Sequence, residues 1–266
     1  GPGACGGVTM TPRDGVERVT RLERLRELEP FLDDLFRRDP QATPFQSPAW
    51  LLPWLECFAG QTQLRCLLVH AAGRLVAALP LLIREQNGER SLQWIGQGIS
   101  DRLDAIVDPR APKLALEGAR QSLAELASEV ERVELDDLPS TSPGHELWRA
   151  LPGTRLEPSA VCPVLRLCSD IGELERALPS SLRRNLGQTE RRLATLGRVE
   201  WRRAGEREGA AELEAFMELH TARWRARGGE GVLADPAVQA FHRAAAPRLL
   251  ARGPGQLRLA SLGQPQ

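Results

Sequence analysis

The chain has 266 residues, with 35 basic and 35 acidic side chains and a formal net charge of zero. Hydrophobic residues make up 42% and charged residues 26% of it, which excludes a wholly disordered chain and allows one large or two small globular domains. Because the charges balance, we expect no dedicated polyanion surface and no specific nucleic-acid partner.

Residue types that supply metal ligands or catalytic acids are sparse. The chain has no Tyr, so no tyrosine hydroxyl serves as a general acid. Its five cysteines form no C-x-x-C pair and lie at no metal-ligand spacing from a His, so we predict no metal site. The odd cysteine count, with no signal peptide and no apolar run of about 20 residues, predicts a cytoplasmic protein without a membrane span.

The first part of the chain predicts a disordered leader over residues 1–14 and a mixed α/β module over residues 15–168. Thr20 and Glu23 fit a capping box that would open a short helix. Further helices are predicted to begin near Pro30, Pro48 and Pro112, with a helical turn at 145–151. Strands are predicted at 16–20, 64–70, 74–84, 91–96, 131–135 and 161–168, the last of these linking two modules, and 99–107 is predicted to be extended.

Residues 169–266 restart the same order of elements. Helices are predicted at 170–178, 180–196, 208–227 and 236–251, and strands at 199–204 and 256–262. Gly197 is a natural residue to follow the second helix. The whole chain is therefore predicted to be an α/β protein in which a mixed sheet is flanked by helices.

Several short stretches, in this order and spacing, resemble one family. They are Thr43-Pro44-Phe45-Gln46-Ser47-Pro48-Ala49-Trp50, Leu79-Pro80-Leu81-Leu82, Gly98-Ile99-Ser100-Asp101, Leu182-Arg183-Arg184-Asn185-Leu186, Leu219-His220-Thr221-Ala222-Arg223-Trp224 and Phe241-His242. With them the chain is similar to tandem acyltransferases of the GNAT superfamily, and more closely to the CelD/BcsL type linked to cellulose biosynthesis, relatives of the Fem aminoacyl transferases.

That resemblance implies direct transfer from acetyl-CoA or another acyl-CoA to a small-molecule or glycan-precursor acceptor, without a covalent enzyme intermediate and without a metal. It implies His220 as the catalytic base, since a His titrates in the range that proton transfer near neutral pH requires. It also implies substrate-binding roles for Trp224, Arg223, His242 and Asp101. Polysaccharide or cell-envelope biosynthesis is the implied setting.

The glycine loop that binds the CoA pyrophosphate in this superfamily has one formal match here, Gln93-Trp94-Ile95-Gly96-Gln97-Gly98. A cofactor-binding role for Gly96 and Gly98 would follow. The residues after the loop, 99–107, suggest an extended chain and not the helix whose N-terminus would face the phosphates. We therefore expect a degenerate first module, an incomplete second one that is truncated at its C-terminus, and no turnover by these 266 residues alone.

Other interpretations of the same residues stay open. His220 lies on the stripe Leu213, Phe216, Met217, His220 and Trp224, which also suits a polar residue at the edge of a helix core face. Arg183, Arg184, Arg191 and Arg192 suit a phosphate site or a solvated helix face. Alternative functions are a non-catalytic GNAT-like interaction module, a Fem-like aminoacyl transferase, and a nucleic-acid binder using the arginines of 183–203.

Overall fold

The computed structural model describes residues 14–165, 167–195, 200–203, 209–251 and 260–263. The strands are β1 (Gly15–Val19), β2 (Thr62–Leu64), β3 (Cys66–Ala71), β4 (Arg74–Leu79), β5 (Leu81–Gln86), β6 (Glu89–Trp94), β7 (Ile106–Val107), β8 (Arg132–Val133), β9 (Glu200–Arg203) and β10 (Ala260–Gly263). The helices are α1 (Leu22–Glu27), α2 (Glu29–Arg38), α3 (Pro48–Phe58), α4 (Pro112–Ser128), α5 (Pro143–Arg149), α6 (Ile171–Ala177), α7 (Ser180–Ala194), α8 (Gly209–Arg225) and α9 (Pro236–Ala251). The predicted α/β class is confirmed.

A long hairpin with a break in each arm organises the sheets. One arm is β2 and β3, interrupted at Arg65, and the other is β4 and β5, interrupted at Pro80, which has no N–H to donate. On one side of the break, β3 and β4 belong to a sheet of order β1-β3-β4-β7. On the other side, β5 belongs to a sheet of order β2-β5-β6-β8.

Helices cover both faces of the hairpin. Because successive side chains of a strand point to opposite faces, each strand contributes side chains to two cores. Cys66 and Leu68 of β3 pack into a core with α1, α2 and α3. Leu67 and Val69 pack into a second core with α4 and α5. This double burial explains why the run 64–70 is continuously apolar and not alternating.

The helix α9 belongs to the first of these cores although it is far away in sequence. Its Phe241 is 0% exposed, and the indole of Trp50 on α3 lies edge-on to it at 4.6 Å between ring centroids. On another side, α9 packs against α8 through a small cluster that contains Met217 and Val238. These contacts join the C-terminal helices to the N-terminal body. The division at residues 168 and 169 stays a prediction.

The segment between the N-terminal body and α8 is open to solvent. Residues 152–165 and 167–195 include no buried side chain, and α7 exposes Leu182 and Leu186 by 43% and 48%. Its arginines, Arg183, Arg184, Arg191 and Arg192, are exposed as well, as a solvated helix face requires.

Three local predictions were wrong. The helix α1 begins at Leu22 with Arg21 as its N-cap and no side-chain cap, so Thr20 and Glu23 form no capping box there. A capping box does occur at Thr43 and Gln46. The range 99–107 forms strand only at β7, with a bend at 101–102 and irregular backbone before it, and the described residues of 161–168 form no strand because no neighbouring strand pairs with them.

Several predictions fall wholly or partly on residues outside the described ranges, including residues 256–259 of the strand predicted at 256–262. The leader 1–14 lies outside them except for Asp14, whose carboxylate accepts a hydrogen bond from the Gly73 backbone N–H at 3.1 Å. Gly197 lies outside them entirely.

Candidate functional site

The predicted base His220 lies on α8 one helical turn before Trp224. The indole Nε1–H of Trp224 donates to Nε2 of His220 at 3.0 Å. The Phe216 ring lies on the preceding turn, with its centroid 6.2 Å from that of the imidazole. Residues three and four apart on a helix share a face, so the sequence spacing by itself brings these rings together.

The chain turns back over this pair after α8. The backbone N–H of Gly229 bonds to the Trp224 carbonyl at 3.1 Å, and Gly231 follows with a φ of +74°. A Cβ on Gly231 would lie 2.6 Å from Trp224 Cδ1 and 2.8 Å from His220 Cε1. Both the conformation and the close approach therefore require glycine at this position.

The face of α8 that carries His220 is open and largely apolar. Phe216 is 50% exposed, Leu219 70% and Trp224 42%, and Arg223 is exposed beside them. The adjacent face of α8 meets α9 along a groove of about 460 Å³, lined among others by Thr221 and by the exposed ion pair of Glu214 and Arg243. His220 does not line that groove.

The second predicted histidine, His242, lies in different surroundings. It is half-buried on α9, with its ring centroid 5.9 Å from that of Trp50. Burial lowers the pKa of His242, because an apolar environment disfavours the charged imidazolium. The structure thus places His220 against Trp224 and His242 against Trp50.

Trp50 also connects α9 to the glycine loop. Its Nε1–H donates to the Ser100 hydroxyl oxygen at 2.8 Å, in a buried site. A Cβ on Gly96 would lie 2.8 Å from the same oxygen, so glycine at 96 lets the loop close on Ser100. A Cβ on Gly98 would have no other atom within 4 Å, and Asp101, which follows the loop, is exposed.

The loop follows β6, as in the superfamily pattern that the sequence resembles, but a bend and irregular backbone follow it instead of a helix. Both glycines have left-handed φ angles, +100° at Gly96 and +92° at Gly98. The N–H groups of Gln97 and Ile99 bond inside the loop, to the carbonyls of Trp94 and Gly96. The CoA role of Gly96 and Gly98 stays a prediction.

Asp104, which follows the glycine loop in the sequence, is buried to 6% exposure. Burial raises its pKa to about 7, although a hydrogen bond from the Ser142 hydroxyl and the Ala105 backbone N–H oppose that shift. The carboxylate accepts from Ala105 N–H at 2.7 Å. The only signal for Asp104 in the sequence was its position after the glycine loop. Asp108, four residues later, forms an ion pair with Arg38.

His70 is a second buried group to which the sequence assigned no role. It is 3% exposed at the end of β3, and neither ring nitrogen has a hydrogen-bond partner in the described part of the chain. Its Nε2 lies 3.7 Å from a Glu17 carboxylate oxygen. Burial is the main cause that lowers the pKa of His70.

Metal and membrane features are not found in the described ranges. No group of three or more His, Cys, Asp or Glu side chains there is arranged to hold a metal ion. No helix in the same ranges is long and apolar enough to cross a bilayer.

A family model matches the C-terminal part of the chain. Residues 180–264 match the family model of the acetyltransferase (GNAT) domain, a stretch that contains α8, α9, His220 and His242. Among solved structures, the chain is similar to the ribosomal-protein-alanine N-acetyltransferase from Brucella melitensis biovar Abortus 2308. The two share 18% sequence identity over 56% of this chain and 99% of that chain, with a TM-score of 0.33. No curated protein matches the chain. Residues 180–264 are thus similar to a GNAT acetyltransferase domain.

Proposed function

We propose that the protein is an acyl-CoA-dependent N- or O-acyltransferase whose acyltransferase domain includes residues 180–264. The observation that supports this most directly is the match of that range to the acetyltransferase (GNAT) family model. The range contains a histidine, His220, on a helix face that is open to a ligand.

The proposed reaction has a single transfer step. An acceptor amine or hydroxyl attacks the thioester carbonyl of the acyl-CoA, a C–N or C–O bond forms, and the C–S bond breaks with CoA leaving as the thiolate. His220 takes the proton that the nucleophile loses, and that proton is returned to solvent or to the thiolate. Acyl-CoA is a co-substrate here, and the step needs no metal.

The remaining site residues are proposed in supporting roles. Trp224 and Arg223 are exposed beside His220 and suit contacts with the acceptor or with a phosphate of the donor. His242, Asp101, Gly96 and Gly98 are proposed on the family resemblance alone. The same resemblance supports a glycan-precursor acceptor and a role in polysaccharide or cell-envelope biosynthesis.

The proposal is tested by replacing His220 in the full-length protein and following CoA release with a thiol-reactive dye. His220→Ala should lower the rate about 10²–10⁴-fold, the usual contribution of a general base. It should leave the melting temperature close to that of the wild type. His145→Ala, on the separate helix α5, is the matched control and should keep full activity.

Two outcomes would contradict these assignments. A destabilised His220→Ala protein with unchanged turnover per folded molecule would make His220 a core-edge residue, and His242 would be tested next. Acetyl-CoA binding by the full-length wild-type protein without any turnover would contradict transferase activity and support the non-catalytic interaction module.

A further inference from the structure

The hydrogen bond between Trp224 and His220 determines which imidazole nitrogen carries a proton. An indole N–H is only a donor, whereas a neutral imidazole has one donor and one acceptor nitrogen. Because Trp224 Nε1 lies 3.0 Å from His220 Nε2, that nitrogen must be the acceptor. The proton of neutral His220 therefore resides on Nδ1.

The second nitrogen offers no free lone pair either. His220 Nδ1 is buried and has no hydrogen-bond partner among the described residues, and in this tautomer it carries the proton and has no lone pair with which to accept another. With Nδ1 protonated and the Nε2 lone pair engaged by the indole, the imidazole as it lies has no position ready to accept a proton.

The turn after α8 holds this arrangement in place. The Gly231 backbone lies against both rings, and the Gly229 N–H is bonded to the Trp224 carbonyl. Movement of the indole away from His220 therefore has to be accompanied by movement of residues 229–231 or by a rotation of the Trp224 side chain. That side chain is 42% exposed, so it has room to rotate.

We propose that Trp224 is a positioning residue that fixes His220 in its Nδ1-protonated tautomer, and that His220 accepts a proton only once the indole N–H has left Nε2. The statement about proton acceptance rests on the proposed function. The statement about the tautomer does not, because it concerns this chain without any substrate.

The test is ¹⁵N NMR of the 266-residue chain labelled at histidine, at a pH about two units above the ordinary pKa of an imidazole. His220→Gln identifies the His220 signals. We expect an Nδ1-protonated, Nε2-unprotonated pattern in the wild type. In Trp224→Phe, which keeps the ring contact and removes the N–H, the ratio of the two tautomers should shift about two- to twelvefold, as expected for the loss of one hydrogen bond.

Phe216→Leu is the matched control, because it changes another ring beside His220 without removing a hydrogen bond, and it should leave the tautomer unchanged. A His220 that is Nε2-protonated in the wild type would overturn the proposal. An identical pattern in wild type and Trp224→Phe would overturn it too. Since the readout needs no acyl-CoA, it succeeds or fails independently of acyl transfer.

Discussion

The helices α7 and α9 have similar lengths, 15 and 16 residues, and both present apolar residues at helical spacing. They differ in whether those residues are buried. In α9, Phe241 is 0% exposed against Trp50, and Ala245 and Leu249 are buried with it. In α7, Leu186 is 48% exposed, and no residue is buried. An amphipathic pattern therefore indicates that a helix has an apolar face, but the tertiary structure decides whether another element covers that face.

The same contrast divides the molecule into two regions. The packed body comprises residues 14–151 together with α9, and the open segment comprises the described residues of 152–195. The packed body has two cores, one on each face of the long hairpin. The open segment has no buried side chain to resist local opening.

The largest expected difference between the regions is in proteolysis. Trypsin should cut after Arg155, which is exposed, before it cuts at any arginine within 64–135. Local opening costs close to 0 kcal/mol, against about 5 kcal/mol or more for global unfolding, so the cleavage rates should differ by roughly a thousandfold or more. Mass spectrometry of early fragments is the measurement. First cuts inside 64–135 would contradict both this contrast and the predicted module boundary.

The next largest effect is expected from removing the buried ring of α9. Phe241→Ala should lower the free energy of unfolding by about 3–5 kcal/mol, because it opens a cavity beside Trp50 and Phe58. Leu186→Ala in α7 is the control and should change stability by less than about 0.5 kcal/mol. Urea denaturation measures both. Equal effects of the two substitutions would show that α7 is also packed in solution.

Asp104 should make the stability of the packed body depend on pH. Its folded-state pKa, about 7, is raised above the unfolded value, so the folded state holds a proton between about pH 4 and 7 that the unfolded state has lost. Stability from this group is therefore greatest at low pH and is lost as the pH rises toward 7.

The replacement Asp104→Asn mimics the protonated carboxyl and should remove this dependence. Relative to the wild type, the variant should gain stability progressively between pH 5 and pH 8, by at most about 1.4 kcal/mol for each unit by which the pKa is raised. Urea denaturation at both pH values is the measurement. A difference between variant and wild type that is the same at pH 5 and pH 8 would refute a raised pKa.

The smallest effect should come from the hydrogen bond between Trp50 and Ser100, which joins the glycine loop to α3. Ser100→Ala leaves the buried indole N–H without an acceptor and should cost about 1–3 kcal/mol. Combined with Trp50→Phe in a double-mutant cycle, the coupling energy should be about 0.5–1.5 kcal/mol. A coupling near zero would mean that the loop is held by other contacts.

The element order was largely predictable from the sequence, for local reasons. Pro48 and Pro112 occupy first-turn positions, and Asp235 accepts a hydrogen bond from the Ala237 N–H at the start of α9. Apolar spacing placed His220 and Trp224 on one face of α8. The strand predicted at 161–168 was wrong because a strand needs a neighbouring strand to pair with. An apolar run such as Val-Cys-Pro-Val-Leu does not show whether the fold supplies one.

What the sequence by itself determined is therefore local: the α/β class, the first turns of the helices, the glycine turns, and the ring pair of His220 and Trp224 four residues apart. The tertiary structure alone decided three further properties. It packed Phe241 against Trp50 of α3, which is far away in sequence. It also brought Trp50 within hydrogen-bond distance of Ser100, and it buried Asp104 deeply enough to raise the pKa of that carboxyl to about 7. The physical reason is that burial and desolvation depend on residues brought together from far apart in the chain, whereas capping, turn conformation and helical spacing depend on residues within a few positions of each other.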